Sequence, residues 1–272
     1  MTAEGMTFRD EEIDGALGDL AGPYRRARRA AYGPAEFVDQ HGFMRAGDIH
    51  ALAVRAGITT DTTVLDLCCG TGGPGRLITR RLGCQLVGVD ASASAVETAR
   101  GLVGDLSCRY EVGQVPHLPR GPFDVVLLLE TMLAFRDKRA LLHAVRSALV
   151  QGGRFACTVE EGVPLTEAER RLMPAWETVW PISLRELHEH LEAAGLRTAW
   201  RQDVTAAHRR VVDALLVQLA AHAPAVAEEI GGPRFEALLT SHRLWSQWLH
   251  TGRIRKFALV ASAQRGKRPA SG

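Results

Sequence analysis

The chain has 272 residues, 46% hydrophobic and 24% charged, which suits a soluble globular protein with a sizeable core and excludes a disordered chain, a collagen or a disulfide miniprotein. Lys plus Arg number 33 against 31 Asp plus Glu, so no large one-signed field is available, and neither nucleic acid nor a membrane is expected as a partner. The five cysteines (Cys68, Cys69, Cys84, Cys108, Cys157) are odd in number and show no CxxC or Cys/His spacing, so no metal site is expected and reduced thiols in a cytoplasm are.

The opening MTAEGMTFRDEEIDG is acidic without an apolar run, unlike a secretory signal, and no later stretch approaches ~20 uninterrupted apolar residues. Arg25, Arg26, Arg28 and Arg29 read as a solvated helix face, and Arg265, Lys267 and Arg268 as a frayed tail. From 35 to 57 the residues Phe37, Val38, Phe43, Met44, Ile49, Leu52, Ala53 and Ala56 repeat at three-to-four spacing, which predicts helical turns ending at Gly57. VLDLCC at 64–69 is a buried strand, broken by Gly70-Thr71-Gly72-Gly73-Pro74-Gly75. RLITRRL then has helical spacing, QLVGVD is a second strand ending at Asp90, and Ala93 to Leu102 is a helix.

A weaker strand near 107–112 and a loop with Pro116 and Pro119 lead to FDVVLLLE, whose unbroken apolar character requires burial on both faces. A helix over 137–150 and a strand RFACTVE follow. Beyond Glu161 the pattern loosens around Trp176 and Trp180, then gives a helix LRELHEHLEAAG, a strand LRTAWRQDVT, a long helical stretch from Ala206 to Thr251, and a last strand over 255–263. The strand and helix alternation predicts a doubly wound α/β domain. The helical stretch far exceeds the usual connection of about 2–6 residues, so it is expected to cap a site. The expected division is a cover segment (1–57), an α/β core (58–204), a cap (205–252), and a last core strand with tail (253–272).

A glycine turn between a buried strand and a helix offers backbone N–H groups and close access to the main chain, because glycine lacks Cβ and tolerates positive φ. Gly70, Gly72 and Gly75 also satisfy G-x-G-x-x-G, with Asp90 placed to grip a ribose. Asp66, four residues before Gly70, separates the cofactors. A carboxylate there repels a pyrophosphate but favours S-adenosylmethionine, which carries an ammonium and a sulfonium.

VLDLCCGTGG, the GVD at 88–90, GQVPHLP at 113–119 and FDVVLLLE at 123–130 resemble, in order, the motifs of class I S-adenosylmethionine-dependent methyltransferases. The likeness is strongest over 36–204. YGPAEFVDQHGF and WLHTGRIRKFALVAS resemble small-molecule members of the sarcosine, sterol and natural-product type. The resemblance implies a mostly parallel seven-stranded sheet with the last strand antiparallel. It also implies that the backbone of Cys69, Gly70 and Gly72 lines the methionine moiety, that Asp66 reaches its amino group, and that Asp90 takes the ribose hydroxyls. Gln114 and Val115 stand where the family often has an acid and an alanine at the adenine, and Cys68 where it has a glycine. Glu130, at the end of the fourth strand, belongs to the same cofactor set.

Methyl transfer needs alignment of acceptor, methyl and sulfur more than it needs an acid or base. If the acceptor is a hydroxyl or carbon acid, a base must lie within reach. Glu130 and Thr131 at the fourth strand's C-terminal end are best placed, followed by His41, Tyr32 and His117. The histidines His188, His190, His208, His222, His242 and His250 are expected mostly at the surface. Trp176, Trp180, Trp245 and Trp248 are expected as walls of an apolar or aromatic acceptor pocket. The expected function is methylation of oxygen or nitrogen, with carbon open, on a small natural-product-like metabolite. The competing reading is the same fold repurposed for a non-methylating reaction such as a cyclisation. The sequence leaves a homodimer open.

Overall fold

The computed structural model describes residues 16, 19, 21–114, 117–119, 121–174 and 179–264. Seven strands form one sheet: β1 (Thr63–Leu67), β2 (Gln85–Asp90), β3 (Cys108–Val112), β4 (Phe123–Leu128), β5 (Leu149–Glu161), β6 (Leu196–Asp203) and β7 (Arg255–Ala263), in the order β3-β2-β1-β4-β5-β7-β6. β1 to β5 pair in parallel and β7 lies antiparallel between β5 and β6. The expected doubly wound, mostly parallel seven-stranded sheet is therefore present. Strand order reverses between β1 and β4, and in such sheets ligands gather at the C-terminal ends of the strands on either side of that reversal.

Period-two alternation distributes the core. Leu65, Leu67, Val126 and Leu128 face α5 (Lys138–Ala148) and α7 (Leu184–Ala193), whose Leu141, Leu142, Val145, Leu187 and Leu191 complete one layer. Val64, Leu86, Val125 and Leu127 face the other way, onto Ile49, Leu52 and Ala53 of α2 (Ala46–Arg55), Leu77 and Ile78 of α3 (Gly73–Leu82), and Val96 and Ala99 of α4 (Ala93–Gly101). Each fully buried aliphatic side chain contributes about 1.5–3 kcal/mol, which is why the all-apolar β4 is the spine. Asp137 and Ser92 cap α5 and α4 by accepting from the amides of Ala140 and Ala95.

The predicted helix over 35–57 is shorter than its spacing suggests. α1 runs Pro23–Tyr32 and α2 begins only at Ala46, while 33–45 is irregular. Gly33, Ala35 and Asp39 have φ of 83°, 59° and 53°, and the apolar residues between them serve two partners. Val38 and Met44 enter the sheet-side core, whereas Phe37 and Phe43 pack against the helices that follow β6. The period of three to four thus arises from a turning chain that alternates between neighbours.

A short helix α6 (Glu167–Leu172) follows β5, and three helices join β6 to β7: α8 (Thr205–Ala221), α9 (Ala223–Ile230) and α10 (Gly232–Thr251). Leu215 and Leu219 of α8, Val226 and Ile230 of α9, and Phe235, Leu238 and Leu239 of α10 pack with Tyr24 and Ala27 of α1. No single helix among the described residues is long and apolar enough to cross a membrane.

Candidate active site

The loop after β1 turns through left-handed conformations at Cys68, Gly70 and Gly72, with φ of 57°, 54° and 75°. Cys68 is the costly member, since a side chain in this region costs roughly 1–2 kcal/mol where glycine would be unstrained. Gly72 has a second constraint: an added Cβ would lie 2.6 Å from the Tyr110 ring, whose hydroxyl donates to the Gly72 carbonyl at 3.1 Å. Asp90 fastens the loop to β2. Its Oδ2 accepts from the Gly70 amide and its Oδ1 from the Ser92 amide, both at 2.8 Å. The helix cap itself is Ser92, so Asp90 is free of that duty and remains at the strand end.

Asp66 is 2% exposed, and its Oδ2 has no hydrogen-bond partner. Burial, and then the charge of Asp90, push its carboxyl up to about 7. Among the described residues no basic side chain pairs with it. Gly113 donates to the Asp90 carbonyl at 2.9 Å, which sets Gln114 just beyond β3, exposed, with its own carbonyl accepting from the amide of exposed His117 at 2.9 Å. Val115 and Trp176 lie outside the described residues, as do Arg265, Lys267 and Arg268.

The 33–45 segment is bound directly onto this loop. Thr71 Oγ1 donates to the Asp39 carbonyl at 2.7 Å, and Asp39 is paired with Arg25 (Nε to Oδ1 3.0 Å) and with Arg76 at 3.6 Å. At Gly73 an added Cβ would sit 1.5 Å from the Val38 carbonyl oxygen. Only glycine allows that approach.

Glu130, in the left-handed region at φ 64°, lies two residues past β4 and joins several elements. Its Oε2 accepts from the Phe43 amide at 2.8 Å, its Oε1 pairs with Lys256 Nζ of β7 at 2.8 Å and accepts from Thr158 Oγ1 of β5 at 3.2 Å, and His208 Nδ1 of α8 stands 3.8 Å away. Lys256 is shared with Glu160. Burial alone would raise the Glu130 carboxyl, but Lys256, His208 and the Phe43 amide outweigh it and hold it down at about 2. Glu160 goes the other way: burial raises it, and its Oε2 is left without a partner. Thr131 is half-buried, with its hydroxyl donating to the Leu129 carbonyl at 3.4 Å.

Tyr32 is buried, and its hydroxyl donates to the Gly42 carbonyl while accepting from Arg28 at 3.2 Å. Burial shifts that phenol further upward from its ordinary value. His41 stacks on Tyr24 with ring centroids 6.3 Å apart. Two expectations are corrected here. Arg28 is 1% exposed instead of solvated, because α1 turns it inward between Tyr24 and Tyr32, and the Arg25 side chain is also mostly covered, drawn in by Asp39. His208 and His242 are 5% and 6% exposed instead of surface residues, because both rings make edge contacts with Phe43, at 5.0 and 5.5 Å. Burial holds each imidazole down at about 4. Sequence reasoning gave no role to Arg28, Phe43, Glu160, His208, His242 or Lys256; a lone Lys in the apolar strand RKFALVASA was the one available signal.

Trp245 and Trp248 form an edge-to-face pair at 5.5 Å, packed with Leu133, Val212 and Ile254. Trp180 is half-buried beneath Arg136, whose Cζ lies 5.1 Å from the ring, and its carbonyl accepts from Lys138 at 2.6 Å.

A doubly wound sheet with a glycine loop at its strand-order reversal, flanked by acids at the ends of β1 and β2 and covered by helices, defines a Rossmann-like fold with its ligand-binding end at that loop. Residues 64–153 match the model of a family described as a methyltransferase domain. The chain is 30% identical over 163 residues to 2-methyl-6-phytyl-1,4-hydroquinone methyltransferase of Synechocystis sp., a match taking in 54% of this chain and 51% of that protein. It thus spans about half the length of this curated relative. The structure resembles mycolic acid cyclopropane synthase CmaA1 complexed with SAH and CTAB, with a TM-score of 0.78 at 14% identity over 93% of this chain and 99% of that one. It also resembles Haemonchus contortus phosphoethanolamine N-methyltransferase 2, with a TM-score of 0.77 at 18% identity over 96% and 59%. The similarity to methyltransferases thus includes residues 64–153, the part of the sheet that carries the glycine loop and Asp90.

The residues fit that family's cofactor. A buried carboxylate oxygen without a partner is a costly feature, and Asp66 Oδ2 lies behind a glycine loop where an ammonium group would satisfy it. The loop's open side at Gly70, where an added Cβ meets nothing within 4 Å, leaves room for a ligand against the backbone.

Proposed function

We propose that this protein transfers a methyl group from S-adenosylmethionine to a small, apolar or aromatic, natural-product-like acceptor. The observation that carries the reading is the buried, partnerless Asp66 Oδ2 beside Asp90 at the glycine loop. Asp66 would receive the methionine ammonium, the backbone of Cys69, Gly70 and Gly72 the rest of that moiety, Asp90 the ribose hydroxyls, and Gln114 with Val115 the adenine edge. Bound there, the cofactor supplies a methyl carbon already activated by its sulfonium.

The chain's own part is to align the acceptor and exclude water. Glu130 fixes the 33–45 cover to β4, β5 and β7. With its carboxylate ionised and both oxygens engaged, it acts by positioning, and Tyr32, Thr131 and His41 line the space between cover and strand ends. α8–α10 act as the cap, with Trp180, Trp245 and Trp248 holding its walls. The five cysteines are free thiols, which fits a reducing cytoplasm; a homodimer belongs to the same proposal.

The test is stoichiometric. Purified protein with S-adenosylmethionine and a panel of small aromatic and terpenoid hydroxyl and amine acceptors is expected to release one S-adenosylhomocysteine per product, each product one methyl heavier. Product of unchanged mass, formed without cofactor consumption, would establish the cyclisation reading in its place.

A further inference from the structure

The groups at the glycine loop that would hold the cofactor are shut off from solvent. Asp66 and Asp90 are each 2% exposed and Thr71 is 4% exposed, and Asp66 Oδ2 is fully buried. A molecule the size of S-adenosylhomocysteine cannot reach that atom until something moves. The segment 33–45, packed on the loop, contains neither helix nor strand, so its docked form depends on a short set of bonds to its neighbours instead of a backbone ladder of its own.

Those bonds divide the segment into two halves. In the middle, Arg28 Nη2 donates to the carbonyls of His41 and Gly42, both at 2.8 Å, and the Tyr32 hydroxyl donates to the Gly42 carbonyl. Both side chains are buried members of α1, so they pin 41–42 to that helix. Beyond the pin, the Phe43 amide donates to Glu130. Before it, Asp39 is the anchor. Its carbonyl accepts from Thr71 Oγ1 at 2.7 Å, its Oδ1 accepts from Arg25 Nε of α1 at 3.0 Å, and its Oδ2 lies 3.6 Å from Arg76 Nη2. Arg76, in the first turn of α3, is 5% exposed, and its Nη1 donates to the Thr71 carbonyl. One buried guanidinium therefore grips the loop and the segment together. The Arg25 guanidinium reinforces the same half from α1, with its Cζ 5.8 Å from the Phe37 ring centroid.

We propose that residues 36–40 are a gate for the cofactor, latched by the ion trio Arg25, Asp39 and Arg76. S-adenosylmethionine enters and S-adenosylhomocysteine leaves when Asp39 lets go, while the pin at 41–42 keeps the Phe43 half on Glu130. This rests on the methyltransferase reading and deepens it, because it makes Asp39 and Arg76 positioning residues that set the rate of cofactor exchange. A latch that closes equally over the empty and the filled loop slows entry and exit together and leaves affinity alone. A residue that binds the ligand directly acts mainly on the exit rate. Asp39→Asn separates the two. The position has φ 53°, a region that Asn enters as readily as Asp, and the backbone carbonyl used by Thr71 is retained, so the substitution removes the charge and leaves the backbone unstrained.

Association and dissociation of S-adenosylhomocysteine are measured by surface plasmon resonance on the immobilised full chain, for the parent protein, Asp39→Asn and Asp48→Asn. The last cuts the Arg45–Asp48 ion pair, which lies beyond the pin. Both rates are expected to rise about three- to fivefold in Asp39→Asn, the reach of one ion pair, with the dissociation constant changed by less than about twofold and Asp48→Asn matching the parent. Unchanged rates in a folded Asp39→Asn, faster dissociation without faster association, or the same acceleration in Asp48→Asn would each overturn the proposal. If Asp39→Asn does not fold, Arg25→Gln cuts the limb from α1 and is held to the same outcomes. Absence of any binding to the parent protein removes the cofactor reading and the gate with it, whereas binding with unaltered rates in the variant removes the gate alone.

Discussion

Asp66 and Glu130 are buried carboxylates driven in opposite directions, and each predicts a different pH response. Asp66 is raised from its ordinary value of 3.8 to about 7, so the folded state binds its proton more tightly than the unfolded chain does. Its contribution to stability is then highest below about pH 4 and falls as pH rises to about 7, a loss on the order of 4 kcal/mol. Asp66→Asn is expected to raise Tm at pH 8 and to leave it nearly unchanged at pH 4. An ammonium arriving beside Asp66 must expel that proton, so calorimetry near pH 6 in buffers of different ionisation heat should register proton release on cofactor binding. Buffer-independent heats would contradict the placement.

Glu130 is the reverse case, lowered from 4.5 to about 2 by Lys256, His208 and the Phe43 amide against the opposing effect of burial. Its stabilisation is present above about pH 4.5 and is lost as pH falls through about 2. Removing one partner of such a buried pair costs roughly 3–5 kcal/mol, so Glu130→Gln should lower Tm by roughly 6–20 °C at neutral pH. An unchanged melting curve at pH 7 would show that the ion pair does not hold the cover.

At the scale of elements, the decisive contact is between the irregular 33–45 segment and the glycine loop. Gly73→Ala would bring a methyl 1.5 Å from the Val38 carbonyl oxygen, and neither backbone can yield without releasing the Thr71 to Asp39 hydrogen bond. The expected cost is about 1–3 kcal/mol, together with faster limited proteolysis within 33–45. An unaltered digestion pattern would count against a tightly bound cover. This element was the one read least well from sequence, because the spacing of Phe37, Val38, Phe43 and Met44 matches a helix although Gly33, Ala35 and Asp39 turn the chain through positive φ. By contrast, β1, β2, β4 and β7 were legible to within a residue or two, since double-sided burial leaves uninterrupted apolar runs between glycine or proline breaks.

For the whole molecule, the glycine loop with Asp66 and Asp90 was visible in the sequence because its parts are local: one strand, one turn and the next strand's end. Of the polar residues around Phe43 and the end of β4, Glu130 was legible, but Lys256, Glu160, His208, Arg28 and His242 were not: they come from β7, β5, α8, α1 and α10, and only the fold brings them there. Long-range polar networks of this kind leave no periodicity to read, and a histidine on an amphipathic helix gives no sign of which face it occupies. Trp245 and Trp248, expected as pocket walls, lie buried in a core cluster with Leu133, in the turn after β4, Val212 and Ile254.

In the proposed function the loop after β1, with Asp66 and Asp90, holds S-adenosylmethionine. Calorimetric titration of the protein and of Asp90→Ala with S-adenosylmethionine and S-adenosylhomocysteine tests it most directly. Micromolar binding to the parent protein, weakened in the variant by about 1.5–3 kcal/mol as for a hydrogen bond to a charged group, is the predicted result. No binding to the parent protein, or equal binding by a folded Asp90→Ala, would remove the cofactor from this loop.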